Sequence, residues 1–252
     1  MLILSEMHQD VLLLTFNHPK PQNPFNAAMQ RELTTLLIEA DKNESVKAVI
    51  LYGGKNRSFS AGGDFKEIME ELNSKEIIAA YLNNIVDFYI QLLSFSKPLV
   101  AAIDHYAIGV GFQVALCTDY RIGTSNTRYL MPELKNGVAC TLGGLMTEYI
   151  LGRFAMQEIC YECKTLTVEQ SLQYKLLNTI ASSEDIIELA LEKATYFGNF
   201  PQIAFRGTKQ ANNKRFIAAL NSVREDTANV HCDVILNQEH KKYMESILGK
   251  NQ

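Results

Sequence analysis

Two short apolar runs open the chain, Leu2 to Leu4 and Val11 to Phe16, with Glu6, His8, Gln9 and Asp10 between them. β-rich runs around a polar turn predict an N-terminal hairpin. Pro19, Pro21 and Pro24 then break the pattern. From Ala27 to Asp41 the apolar residues Met29, Leu33, Leu36, Leu37 and Ala40 recur at helical spacing, and Val46 to Tyr52 reads as a continuous buried strand.

The alternation continues with a glycine turn at Gly62-Gly63, a helical region from Asn83 to Leu93, a break at Lys97-Pro98 and an apolar β-run from Leu99 to Ile103. A helical stretch from Gly111 to Cys117 precedes a strand around Tyr120 to Gly123. Strands alternating with helices predict an α/β fold with a largely parallel sheet. After Met156 the segments Thr167 to Tyr174, Ser183 to Phe197, Gln202 to Leu220 and Val223 to Leu248 read as helical. No linker or fixed-period repeat divides the chain, so residues 1–200 are expected to form the core and residues 201–252 a helical region of the same domain.

Composition narrows the partners. The 252 residues carry 24 Lys+Arg against 28 Asp+Glu, a net charge of -4, and 47% are hydrophobic. That balance excludes a disordered chain and lacks the basic footprint of a nucleic-acid binder. The apolar runs fall well short of the roughly 18 residues that span a bilayer, and the N-terminus lacks the basic start and cleavage site of a signal peptide. A cytoplasmic protein with no membrane partner is expected. Five cysteines at irregular spacing argue against a disulfide framework. Cys160-Tyr161-Glu162-Cys163 has no second ligand pair, and His18 and His105 have no partner at ligand spacing, so no metal site is expected.

Two glycine turns sit at strand-to-helix junctions, Phe59 to Asp64 and Ile108 to Phe112. Glycine permits close approach, and a helix N-terminus presents unpaired N–H groups that favour negative charge. Two such turns aimed at one point would hold an oxyanion. Neither carries a full dinucleotide or phosphate-loop signature.

Ser58 to Asp64, Lys97 to Ile103 running on to Ala107-Ile108-Gly109-Val110-Gly111, the Asp119 to Ile122 strand, Met131-Pro132-Glu133 and Ala204 to Asn212 resemble, in order and spacing, the crotonase (enoyl-CoA hydratase/isomerase) superfamily. The resemblance implies the crotonase fold, an acyl-CoA substrate that brings the only coenzyme needed, and a homotrimer or dimer of trimers. It assigns the two thioester-binding N–H groups to Gly63 and Val110, and the acid/base carboxylate to Glu133. The hydratases pair that glutamate with a second one three residues beyond the second N–H; here the position is Gln113, which exchanges no proton near neutral pH.

Narrower motifs, among them Asn23-Pro24-Phe25, Arg57 to Phe65, Gly111-Phe112-Gln113 and Met131 to Lys135, resemble the carboxymethylproline synthase group of carbapenem biosynthesis. That resemblance implies decarboxylation of malonyl-CoA, attack of the enolate on the cyclic imine pyrroline-5-carboxylate, and thioester hydrolysis. It places Tyr81 and His231 at the imine pocket, with Tyr81 where relatives carry tryptophan; Gln113, Gly62 and Cys140, which follows the Glu133 loop, are also expected to line the substrate pocket. Pro24, Phe25, Ser60, Ala61, Arg57 and Lys66 are expected near the coenzyme A moiety. An enoyl-CoA hydratase or isomerase, and a non-catalytic acyl-CoA-binding scaffold, are the alternatives.

Overall fold

The computed structural model describes residues 1–64, 71–238, 240–243 and 246. Eight strands are described: β1 (Ile3–His8), β2 (Val11–Phe16), β3 (Ala48–Tyr52), β4 (Leu99–Ile103), β5 (Tyr106–Ile108), β6 (Tyr120–Gly123), β7 (Arg128–Leu130) and β8 (Thr179–Ile180). The first half contributes helices α1 (Ala27–Lys42), α2 (Lys75–Ser94) and α3 (Val110–Leu116). Then follow α4 (Thr141–Leu151), α5 (Arg153–Met156), α6 (Val168–Gln173), α7 (Ile186–Gly198), α8 (Gln202–Ser222) and α9 (Arg224–Ile235).

β1 and β2 form the expected antiparallel hairpin; β2, β3, β4, β6 and β8 then run parallel in one sheet ordered β1-β2-β3-β4-β6-β8. Every residue of β3 and β4 is buried, as a parallel sheet covered on both faces requires. Successive side chains split between two cores. Val49, Leu51, Leu99, Ala101 and Ile103 join the larger one with α1 and α2, while Ala48, Ile50, Val100 and Ala102 pack against Ile186, Ala190 and Ala194 of α7.

Helix α2 starts eight residues before the helix read from the sequence, because Ser74 caps it and accepts the Ile77 N–H at 3.3 Å. By length and composition α2 could cross a membrane, which the short apolar runs do not suggest. Its apolar face is instead interior: Ile78, Leu82, Ile85, Val86, Phe88, Tyr89, Leu92 and Leu93 are buried, and α8 and α9 pack against it. The single helix expected from Val223 to Leu248 is interrupted, since α9 ends at Ile235 with Leu236 as its C-cap.

A second, two-stranded sheet of β5 and β7 lies outside the sequence expectation. Its strands have three residues each, too short for a period-2 pattern to register. The five cysteines are free, and Cys160 lies in a π-turn, Gln157–Tyr161, in place of regular helix.

Candidate active site

The small sheet holds both glycine turns. Ser60 pairs with Ala107 and Phe25 with Gly63 as isolated parallel bridges, so the chain before the first turn lies as an extra strand beside β5. Ser60 N–H donates to the Tyr106 carbonyl at 3.0 Å, Ile108 N–H to the Ser60 carbonyl at 2.9 Å, and Phe25 N–H to the Gly62 carbonyl at 2.7 Å. Gly62 and Gly109 turn the chain with φ of 98° and 50°, the left-handed region that favours glycine. The turns abut: a methyl group on Gly109 would stand 3.7 Å from Gly62 Cα. A methyl group on Gly111 would stand 2.6 Å from Ser60 Cβ, so that approach is open to glycine alone.

Val110 opens α3, and its N-cap Gly109 has no side chain with which to cap the first turn. Among the described residues, neither the Gly63 nor the Val110 N–H has a backbone acceptor. Both residues line a cavity of about 190 Å³, as do Gly62, Ala61, Gln113 and Glu133. Two unpaired donors on abutting turns can stabilise negative charge on an oxygen placed between them.

Glu133 faces the same space at the start of the 3-10 turn Leu134–Asn136. A methyl group on Gly109 would stand 3.1 Å from its Oε1. That oxygen accepts the Gln113 amide N–H at 3.2 Å, while Oε2 is sealed from solvent with no hydrogen-bond partner among the described residues. Burial raises the Glu133 carboxyl from 4.5 to about 7, against weaker downward pulls from its own backbone N–H, the Cys140 thiol and the Gln113 amide. Such a carboxyl can give or take a proton near neutral pH.

The profile of the Enoyl-CoA hydratase/isomerase family matches residues 6–252. The chain belongs to this family. Carboxymethylproline synthase of Pectobacterium carotovorum subsp. carotovorum is 36% identical over 249 residues, covering 99% of each chain. The structure of ThnE from S. clavuligerus shares 34% identity at a TM-score of 0.76, covering 91% of this chain and 100% of the other. An enoyl-CoA hydratase/isomerase from Xanthobacter autotrophicus Py2, 22% identical, superposes at a TM-score of 0.88 over 99% of this chain and 93% of its own, which shows the fold. The crotonase fold expected from the sequence is therefore the observed one, and the chain is an enzyme of the enoyl-CoA hydratase/isomerase family.

The remaining expected residues of this family member fall into two groups. Tyr81 on α2, His231 on α9 and Cys140 before α4 line the cavity. His231 is buried, which lowers its pKa against the opposing pull of the Thr227 and Ala139 carbonyls; its Nδ1 lies 2.8 Å from the Thr227 carbonyl oxygen and donates to it. Contact with the Cys160 thiol, together with burial, drives the Cys140 thiol upward, so it stays protonated and lines the wall without a thiolate.

Of the residues expected near coenzyme A, Ala61 lines the cavity. Phe25 is 1% exposed and packs edge-on against Phe16, and Ser60 is fully buried with its hydroxyl accepting the Gly62 N–H at 3.1 Å. Pro24 is buried beside them. These three shape the turn from behind. Arg57 Nη2 donates to the His18 carbonyl, the Lys20 carbonyl at 3.2 Å and Asn23 Oδ1 at 3.0 Å, clamping the preceding loop. Lys66 lies outside the described residues. His18 Nδ1 accepts the Lys20 N–H at 3.1 Å, a structural role.

Sequence reasoning missed Asn23 and Tyr89 as side chains that act. Asn23, buried at φ 48°, donates to the Gly53 carbonyl at 2.7 Å and the Ser58 carbonyl at 2.8 Å, tying down the approach to the first turn. Tyr89 is fully buried in α2, and its hydroxyl donates to Gln113 Oε1 at 2.6 Å. Helical spacing marks Tyr89 as core but is silent about where its hydroxyl ends.

Proposed function

We propose that this enzyme decarboxylates malonyl-CoA, joins the resulting enolate to pyrroline-5-carboxylate and hydrolyses the thioester to carboxymethylproline. The observation that carries the reading is Gln113: the position that would complete a carboxylate pair holds an amide, hydrogen-bonded to Glu133 at 3.2 Å. Addition of water by paired carboxylates is thereby disfavoured, whereas decarboxylation asks for no base. The 36% identity to a carboxymethylproline synthase supports the same choice.

In the first step the bond between the malonyl methylene and its carboxylate breaks. The electron pair passes into the thioester, and CO2 leaves. Gly63 and Val110 N–H groups hold the enolate oxygen; one such donor contributes about 2.7–4 kcal/mol to a transition state. The enolate carbon then attacks the ring carbon of the imine in its N-protonated form; the C=N π pair becomes the nitrogen lone pair, and the nitrogen retains the proton it already carried. Finally Glu133 takes a proton from water, which attacks the thioester carbonyl; the same N–H groups hold the oxyanion until coenzyme A departs. Tyr81 and His231 border the imine. The reading needs no metal, and it places the enzyme in the cytoplasm as a homotrimer or dimer of trimers.

Mass spectrometry of the enzyme with malonyl-CoA, with and without pyrroline-5-carboxylate, tests the proposal. Imine-dependent carboxymethylproline is the expected product. Acetyl-CoA alone would retain the decarboxylation and remove the electrophile. A second reading, an enoyl-CoA isomerase with one base, is favoured by the Glu133 carboxyl at about 7; shift of a 3-enoyl-CoA double bond with malonyl-CoA untouched would establish it.

A further inference from the structure

We infer that Tyr89 is a positioning residue for this site: its hydroxyl fixes the Gln113 amide so that the NH2 end meets Glu133 Oε1. The inference rests on the reading of Glu133 as the active carboxylate.

A glutamine amide has one end that accepts hydrogen bonds and one that donates them. The Gln113 side chain is buried and touches three polar partners: the Tyr89 hydroxyl at 2.6 Å, Glu133 Oε1 at 3.2 Å and, weakly, Met131 Sδ at 3.8 Å. Viewed from Gln113 alone, the amide could present either end to Glu133. Tyr89 removes that choice. Burial raises its phenol well above 10, so it keeps its proton, and the acceptor of that buried O–H among the described residues is the Gln113 oxygen; a flipped amide would leave the O–H without one. The Gln113 oxygen is taken by the phenol, and the NH2 group is left for the carboxylate.

Without that hydroxyl the amide is free to turn over. An oxygen facing Glu133 repels the ionised carboxylate and accepts from the protonated one, so the proton would be held more tightly. The titratable groups facing Glu133 are Tyr89 and Tyr81 from α2, Cys140 on its own loop, Cys160 from the π-turn and His231 from α9. Tyr89 reaches the carboxylate through a hydrogen-bonded amide, and so its effect should vanish when that amide is removed.

The test is a 13C NMR titration of the glutamate side chains in the full-length protein without substrate, the Glu133 signal being assigned from its loss in Glu133→Gln. Tyr89→Phe should raise the Glu133 midpoint by about one pH unit, the size expected when a carboxylate loses one donor. Gln113→Met should raise it similarly, and Tyr89→Phe added to Gln113→Met should move it no further. With substrate, Tyr89→Phe should lower kcat, leave KM for malonyl-CoA nearly unchanged and shift the acid limb of the pH profile by the same amount as the titration. An unmoved midpoint in either single variant, or an equal shift by Tyr89→Phe in both backgrounds, would overturn the inference. If Tyr89→Phe does not fold, Gln113→Met alone still decides whether the amide controls Glu133. Because the titration uses no substrate, a failure of malonyl-CoA turnover with the shifts intact would count against the reaction and leave the positioning role standing.

Discussion

Replacing Glu133 with glutamine should stabilise the folded protein while removing its base. The carboxyl rises from 4.5 to about 7 on folding because it is desolvated, with Oε2 sealed and unpartnered. At about 1.36 kcal/mol per pH unit, that rise is worth about 3 kcal/mol. The sign follows from proton binding. The folded chain holds this proton more tightly than the unfolded one, so stability is highest below the unfolded value. It falls as pH climbs from 4.5 to about 7, and is constant above. Glutamine carries no charge and has no such dependence. Urea unfolding of both proteins at pH 5 and pH 8, at one protein concentration, isolates the charge from any change in packing. The advantage of Glu133→Gln should be larger at pH 8 by about 2.5 kcal/mol, corresponding to a melting difference of about 5 °C for a chain of this length. An advantage that is equal at both pH values would show that the carboxylate is not strained by burial, and the argument for a base poised at neutrality would fall with it.

Val110→Pro and Gly63→Pro delete one N–H each, and kcat should drop about 10²–10³-fold while the alanine variants keep most activity, as steady-state assays with malonyl-CoA would show. Product formation should rise with pH through about 7 and then level off, because Glu133 acts ionised; a bell centred below pH 6 would contradict this. Gln113→Glu restores a second carboxylate beside the first and should confer hydration of crotonyl-CoA, followed by loss of the enoyl absorbance. Arg57→Ala should lower thermal stability by about 1–3 kcal/mol through loss of its loop clamp, with KM for malonyl-CoA unchanged.

Much of the frame was readable because its signals are local. The β4 and β6 bounds follow from apolar runs between Pro98 and the following turns, and α1 follows from its apolar spacing. The glycine turns could be found because only glycine accepts φ of 98° at residue 62 or the 2.6 Å approach at residue 111. What escaped depends on contacts between segments far apart in the chain. β5 and β7 are defined by each other and by Ser60, over gaps that no window spans. Nothing local to Arg57 signals that its Nη2 reaches back to the loop of His18 and Asn23. Tyr89 and Gln113, 24 residues apart, carry no shared signature, although they are hydrogen-bonded in the cavity wall.

The two donors at Gly63 and Val110 belong to the main chain, held by a ladder running through Phe25, Ser60 and Ala107. Mutation can recolour the cavity walls while the charge-stabilising device is inherited through the path of the chain. On the proposed function, lineages sharing this path could exchange one chemistry for another by single replacements at the cavity-lining residues 113, 81 and 231. Ancestral reconstruction along such a lineage would be expected to show promiscuous intermediates in preference to inactive ones, since turnover does not have to be rebuilt when the substrate changes.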